Sequence, residues 1–357
     1  VDSVSAAGND AEVKIGVNVL GVDQISPSAQ DALLEQLAQN GVKILRTGLG
    51  GHGDHYTDFV IKAHQHGIGC VVIVSPFEGN TGKHVAPANK EAQRDWVTPA
   101  LSDIEPTGFR KWFAPELARL DAAGVQVVAF EVGNEINTPR FNADFVVPLT
   151  SRVIGLAELR DPADREGQAV AAGLSQYVKV LATLKDMRDR SRVNRAARIL
   201  TGVSASLGAP QRLTPGTPGG ISMNQAIQFL RLRGADDSVD GYGVHLYTSS
   251  DPRRTLAQRE AVLGEGLAEC RPSGKPCWVT EWAYNNANRS CPIDDSLRST
   301  LVTDERAAYK TFVPAHRLAA LIYYSWSGDY LNQKESPGTI FRCGALTEAG
   351  KLALSPL

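Results

Sequence analysis

Two glutamates in this sequence each close an apolar run: Phe130-Glu131-Val132-Gly133-Asn134-Glu135 ends one, and Trp278-Val279-Thr280-Glu281-Trp282 ends another. A pair of carboxyl groups placed this way can share one reaction. Breaking a sugar acetal with retention of configuration needs one carboxylic acid to protonate the departing oxygen and one carboxylate to attack the anomeric carbon. A lone Glu at a strand end is more often solvated or salt-bridged, but here two such residues stand beside Asn134 and Trp282. Other chemically capable residues sit in the same way at run ends. Arg46 closes 42–47, Gly243-Val244-His245-Leu246-Tyr247 puts His245 and Tyr247 on one face by the two-residue strand period, and Trp326 lies in Tyr323-Tyr324-Ser325-Trp326-Ser327. For Arg46 the structural alternative is a salt bridge inside the sheet, with Glu131 as the candidate partner; for His245 it is a packed core histidine. The histidines and cysteines show no metal-ligand spacing, and His64 with His66 read as a helix end. No metal or organic cofactor is expected.

Positioning these residues requires a repeated strand-then-helix chain. Short apolar runs at 13–20, 42–47, 68–75, 125–132, 198–204, 241–247, 277–282 and 320–326 read as strands. Between and after them, helical patterns fall at 28–39, 56–66, 109–123, 170–190, 222–233, 255–268, 298–317 and 347–354. Gly41, Gly67 and Gly124 punctuate helix ends just before the next strand. Eight such units with buried-looking strands predict an α/β fold, a closed (β/α)8 TIM barrel, over an open doubly wound sheet. Gly48-Leu49-Gly50-Gly51-His52-Gly53 follows a strand but lacks the spacing of a dinucleotide-binding loop. The connections 76–108 and 136–168, after strands three and four, are unusually long and fall on the face where barrels carry active sites. They are expected to wall a cleft. Trp96 and Trp112, in or just after the first of them, are candidates for a wider aromatic surface, with core packing the stronger reading for each.

Length fits this reading: the 357 residues exceed a minimal barrel of ~250 residues by loop insertions, so residues 1–357 are expected to form one catalytic domain. A formal net charge of −2, without a basic run, argues against nucleic acid as the partner. No apolar stretch reaches the ~20 residues of a membrane span. The chain opens Val1-Asp2-Ser3 without Met, as it would after removal of a signal peptide or if the start had been chosen further along, and a secreted or periplasmic location is expected. Of the five cysteines, Cys270 and Cys277 bracket a turn-like segment and are expected to pair; Cys291 with Cys343 forms a candidate second bridge, leaving Cys70 single in an apolar strand. Five reduced thiols remain the alternative.

The Asn134-Glu135 pair on strand four, the Glu281-Trp282 pair on strand seven and the strand order together resemble clan A of the retaining glycoside hydrolases, with cellulase-like and β-xylosidase-like families nearest in pattern. The resemblance spans nearly the whole chain. It implies that Glu135 is the acid/base, Glu281 the nucleophile and Asn134 the contact to the sugar 2-hydroxyl. It also implies that Arg46 and Tyr247 bind Glu281, that His245 orients the site or touches sugar, and that Trp326 is the platform under the sugar. Gly133 and Ile136 depart from the clan, where Trp and Pro are common. The activity implied is cleavage of a β-linked polysaccharide or oligosaccharide. A barrel that binds carbohydrate without hydrolysing it is the alternative, and a metal-dependent hydrolase or aldolase is disfavoured by the missing ligand set and by the absence of a Lys at a strand end.

Overall fold

A computed structural model describes residues 12–49, 53–88, 96–145, 154–205, 220–270, 274–288, 290–315, 317–327 and 337–357. Parts of both long connections, 89–95 and 146–153, lie outside the described residues, as do 50–52 and 271–273. Eight parallel strands are β1 (Lys14–Asn18), β2 (Ile44–Leu49), β3 (Gly69–Val74), β4 (Ala129–Val132), β5 (Arg198–Thr201), β6 (Gly241–His245), β7 (Cys277–Trp282) and β8 (Leu318–Tyr323). They close into a barrel in the order β1-β8-β7-β6-β5-β4-β3-β2. The alternating helices are α1 (Pro27–Gln39), α2 (Gly53–Gln65), α3 (Pro106–Ala122), α4 (Arg165–Arg190), α5 (Met223–Leu232), α6 (Leu256–Gly266), α7 (Ser296–Lys310) and α8 (Glu348–Leu354). The expected (β/α)8 architecture is therefore present.

Local chemistry explains the alternation. Every residue of β4, β6 and β7 is buried, as strands covered on both faces must be. Ser26 caps α1 by accepting from the Ala29 N–H at 3.2 Å, with Pro27 preset for the first turn. Gly67 ends the α2 segment at φ 72°, a left-handed turn that leads the chain into β3.

The backbone divides into two compact units, the first holding residues 1–72, 125–129 and 245–357, the second 73–124 and 130–244. In the first, Val17, Leu34, Leu45, Phe59, Val279 and Leu321 are fully buried. Its strands register Asn18 with Arg46 and Tyr323 with Trp282. In the second, the edge of Phe130 meets Phe113 at 5.5 Å, and Phe113 stacks on Phe109 at 5.8 Å.

The differences from the sequence reading lie at element ends. Strand β4 starts at Ala129 and not at 125, and β8 stops at Tyr323, three residues before Trp326. Val125 and Val127 are buried as strand residues would be, which extended the apolar run upstream of β4. The long connections also hold more structure than expected. The first contains 3-10 turns at Pro76–Gly79 and Leu101–Asp103 and a small antiparallel pair, Val85–Ala86 with Thr98–Pro99; the second contains a short helix, Leu156–Arg160. Among the described residues, no helix is long and apolar enough to cross a membrane.

Both expected cysteine pairs are joined, with α-carbons 5.4 Å apart for Cys270 and Cys277 and 5.8 Å for Cys291 and Cys343. Cys70 is free and buried, and burial pushes its thiol up to about 12. Alkylation under non-reducing conditions is expected to label no cysteine in the folded protein and Cys70 alone after unfolding. Label on Cys270 or Cys277 in oxidised, unfolded protein would contradict that bridge.

Candidate active site

Glu281 ends the buried strand β7 and is the hub of the first unit's polar cluster. Its carboxylate is 7% exposed as a residue and takes hydrogen bonds on both oxygens: the Arg46 guanidinium donates to Oε1 at 2.7 Å, and the Tyr247 hydroxyl donates to Oε2 at 2.5 Å. His245 Nδ1 lies 3.4 Å from Oε2, and its Nε2 is 3.5 Å from an Arg46 terminal nitrogen. The contact of His245 with the carboxylate carries charge only when the ring is protonated. A buried arginine is tolerable because its charge is paired and its donors are used. One further partner is Asn18 at the end of β1, whose Oδ1 accepts from Arg46 at 2.9 Å while its amide donates to the Thr280 carbonyl at 2.9 Å.

Asn18 was not singled out from sequence. A usable signal existed, since it interrupts the apolar run at 13–20 near its carboxyl end, where β1 meets the rim with Arg46 in register. Arg46, for which the sequence offered Glu131 as an alternative partner, pairs with Glu281 at 2.7 Å. His245 and Arg46 are both fully buried, and Tyr247 is 48% exposed. The difference follows from strand length: β6 ends at His245, so Tyr247 stands in the connection beyond it.

Glu135 belongs to the second unit. Gly133 leaves β4 at φ 81° with its N–H on the Val74 carbonyl at 2.8 Å, and Glu135 itself adopts φ 47°. A left-handed glutamate is uncommon and costs on the order of 1 kcal/mol or more, so the surroundings must hold it. They do so from both sides of the residue. Ser204 Oγ accepts from the Glu135 N–H at 3.1 Å, while the Glu135 carbonyl accepts from the Thr138 N–H at 3.0 Å and its hydroxyl at 2.9 Å. Asn137 then ties the turn to the carbonyls of Ala205 and Ile221, each at 2.9 Å. Glu135 and Asn134 are both half-buried.

The departures from the clan pattern have a local cause. A Cβ on Gly133 would come within 2.8 Å of Ile136 Cγ2, and one on Gly202 would press against the carbonyl oxygens of Gly133 and Val132. A tryptophan at 133 is therefore incompatible with this turn, and Ile136, fully buried, fills the space beside it.

Trp326 is also in a different setting from the one expected of a platform. It is fully buried, its indole N–H donates to Gln36 Oε1 at 2.8 Å, and its ring stacks on Phe341 at 5.0 Å, so it presents no open face to a sugar. Tyr324, half-buried just past the end of β8, was passed over in the same five-residue segment. Trp112 packs against Phe109 and Phe113, as core packing predicts. Trp96 is 40% exposed, with the Arg140 guanidinium 5.0 Å from its ring and Phe141 at 5.3 Å.

The fold is the (β/α)8 barrel, shared with solved glycosidases. No family model and no curated protein sequence matches the chain. Among solved structures, it is similar to a β-glucosidase from Exiguobacterium marinum, with a TM-score of 0.55 and 13% identity over 97% of each chain. A second is virulence factor SghA from Agrobacterium tumefaciens, with a TM-score of 0.54 and 12% identity over 96% of each chain. A third is a GH5-4 broad specificity endoglucanase from an uncultured bacterium, with a TM-score of 0.54 and 13% identity over 96% of this chain and 94% of that one.

Proposed function

We propose that this chain is a single-domain, retaining β-glycoside hydrolase, secreted or periplasmic, that cleaves a β-linked oligosaccharide or polysaccharide with Glu135 as acid/base and Glu281 as nucleophile. The observation that carries this reading is the carboxylate of Glu281 held by Arg46 at 2.7 Å and Tyr247 at 2.5 Å at the carboxyl end of a barrel strand. Two charge-assisted bonds fix its orientation for attack, and the same donors make it a competent leaving group when the sugar ester is later hydrolysed. In the first step a Glu281 oxygen bonds to the anomeric carbon, the glycosidic C–O bond breaks, and the departing oxygen takes the proton of Glu135. In the second, Glu135 removes a proton from water, the water oxygen bonds to the same carbon, and Glu281 departs as a carboxylate. Asn134, adjacent to the acid/base, binds the sugar 2-hydroxyl, and His245 orients Glu281.

The test is a panel of 4-nitrophenyl β-glycosides assayed with and without a chelator, followed by proton NMR of the first sugar released. Hydrolysis indifferent to chelator and a β-anomer formed first are expected. Initial release of the α-anomer would refute the double displacement, and saccharide binding without cleavage would favour a non-catalytic carbohydrate-binding barrel.

The sugar platform is reassigned within the proposal. Because Trp326 is closed off and Tyr324 is partly open at the same strand end, Tyr324 carries the stacking contact. Tyr324→Ala is expected to raise KM by about tenfold, the loss of one ring face against a pyranose. Trp326→Phe, which deletes the bond to Gln36, is expected to lower unfolding stability by about 1 kcal/mol with KM within twofold of wild type. Steady-state kinetics and urea unfolding of both variants decide between the rings.

A further inference from the structure

We propose that Thr248, held by the buried Glu305, Arg259 and Tyr284, is a positioning residue that sets the hydrogen bond from Tyr247 to Glu281; the inference rests on Glu281 as nucleophile. Tyr247 is 48% exposed, so ring burial alone does not fix a phenol that must meet a carboxylate at 2.5 Å. Its backbone, however, is pinned on both sides. On one side the Leu246 N–H donates to the Glu281 carbonyl at 2.9 Å. On the other, Thr248 Oγ1 donates to Glu305 Oε1 at 2.8 Å and lies 2.7 Å from the Tyr284 hydroxyl. A third pin follows three residues on, where Arg259 donates to the Asp251 carbonyl at 3.3 Å.

The groups that receive Thr248 are themselves buried and bonded to one another. Glu305 and Arg259 are each 1% exposed and pair at 3.3 Å, and Tyr284, 2% exposed, donates to Glu305 Oε2 at 2.9 Å and accepts from Arg259 at 3.0 Å. Glu305 thus takes one hydroxyl proton on each oxygen, from Thr248 and from Tyr284. Burial and the charge of Glu305 push the Tyr284 hydroxyl above its ordinary value, which keeps it a donor. Tyr284 is in turn fastened to β8, since its N–H donates to Tyr323 Oη at 3.1 Å and its carbonyl accepts from that hydroxyl at 3.0 Å. The cluster therefore links α6, α7 and the segment just past β7 to one loop position next to Tyr247. A buried ion pair is poor evidence of stability in itself, and fixing the geometry of the neighbouring loop is the role this one is placed to serve.

The test is a double-mutant cycle. Thr248→Val keeps the shape and removes the hydroxyl; Thr248→Ser restores it; Tyr247→Phe removes the bond being positioned. With the 4-nitrophenyl β-glycoside that wild type cleaves fastest, Thr248→Val is expected to lower kcat roughly tenfold, the scale of one charge-assisted bond, with KM within about twofold. Thr248→Ser should recover most of the rate, and Thr248→Val should cost nothing further in a Tyr247→Phe background. Losses that multiply in the double variant, or a serine that fails to rescue, would overturn the assignment. A crystal structure of Thr248→Val reads the pin without any turnover: Tyr247 Oη displaced beyond about 3.5 Å from Glu281 Oε2 supports it, and an unchanged bond refutes it. Absence of cleavage by wild type would instead strike the proposed function, leaving that crystallographic result to judge the positioning.

Discussion

Glu281→Ala is expected to turn over no β-glycoside at a measurable rate, whereas Glu135→Ala should still perform the first half of the reaction when the leaving group is an acidic phenol. The difference follows from what each carboxyl group supplies. Glu281 forms the covalent bond to the anomeric carbon, and alanine offers no atom to replace it. Glu135 supplies a proton, which is worth about 10²- to 10⁴-fold for a poor leaving group and little for a phenol that departs as a stable anion. With 2,4-dinitrophenyl β-glycosides, Glu135→Ala should therefore show a burst of phenol followed by slow turnover, because no base activates water for the second step. Mass spectrometry of the peptide containing Glu281 should then show an added sugar. Equal loss of the burst in both variants, or a sugar on any other residue, would overturn the assignment.

Arg46→Met should damage both rate and stability. The guanidinium is fully buried and donates to Glu281 and Asn18 at 2.7 and 2.9 Å. Methionine matches much of the volume but leaves the Glu281 carboxylate, 7% exposed, without its cation. Breaking one side of a buried ion pair costs roughly 3–5 kcal/mol, which urea unfolding at neutral pH would measure directly. For kcat, loss of a preorganised charge at the reacting carboxylate should cost about 10²- to 10³-fold. Arg46→Lys should recover stability in part but not the rate, since a single ammonium cannot serve Glu281 and Asn18 with the guanidinium's planar geometry. A methionine variant as stable as wild type would show that the arginine's charge is balanced by desolvation and contributes nothing net to folding. An unchanged kcat would remove Arg46 from the proposed mechanism.

The stability loss need not erase the kinetic comparison. Circular dichroism and unfolding curves define the temperature at which each variant remains folded, and rates are compared there. Thermal denaturation of a disulfide-bonded chain can be irreversible, so denaturant titration with a reversibility check is the sounder measure.

What the sequence alone determined was set by short-range physics. Strand β7 was located at Cys277–Trp282 because a compact apolar run with β-branched and aromatic residues can be read within six positions. Gly67 marked the boundary before β3 because a left-handed helix end favours a residue without a side chain. Repetition of such units predicted the closed barrel, and it placed Glu135 and Glu281 at the carboxyl ends of the fourth and seventh strands. The two cysteine pairs were likewise legible: only seven positions separate Cys270 from Cys277.

Tertiary structure decided which side chains meet and which faces stay open. Arg46 and Glu281 are 235 positions apart, and Asn18 and Thr280 are 262, so no local period links them. Clan resemblance anticipated the first pair; nothing in the sequence reading anticipated Asn18. Trp326 reads as an aromatic at a strand end, yet Gln36, 290 positions away, and Phe341 close over it, while its neighbour Tyr324 stays partly open. The left-handed turn at Glu135 was equally hidden, because it is held by Ser204 from 69 positions along the chain. Propensity and periodicity act over one or two turns of chain, whereas hydrogen-bond partnership and burial depend on where a closed barrel brings distant strand ends.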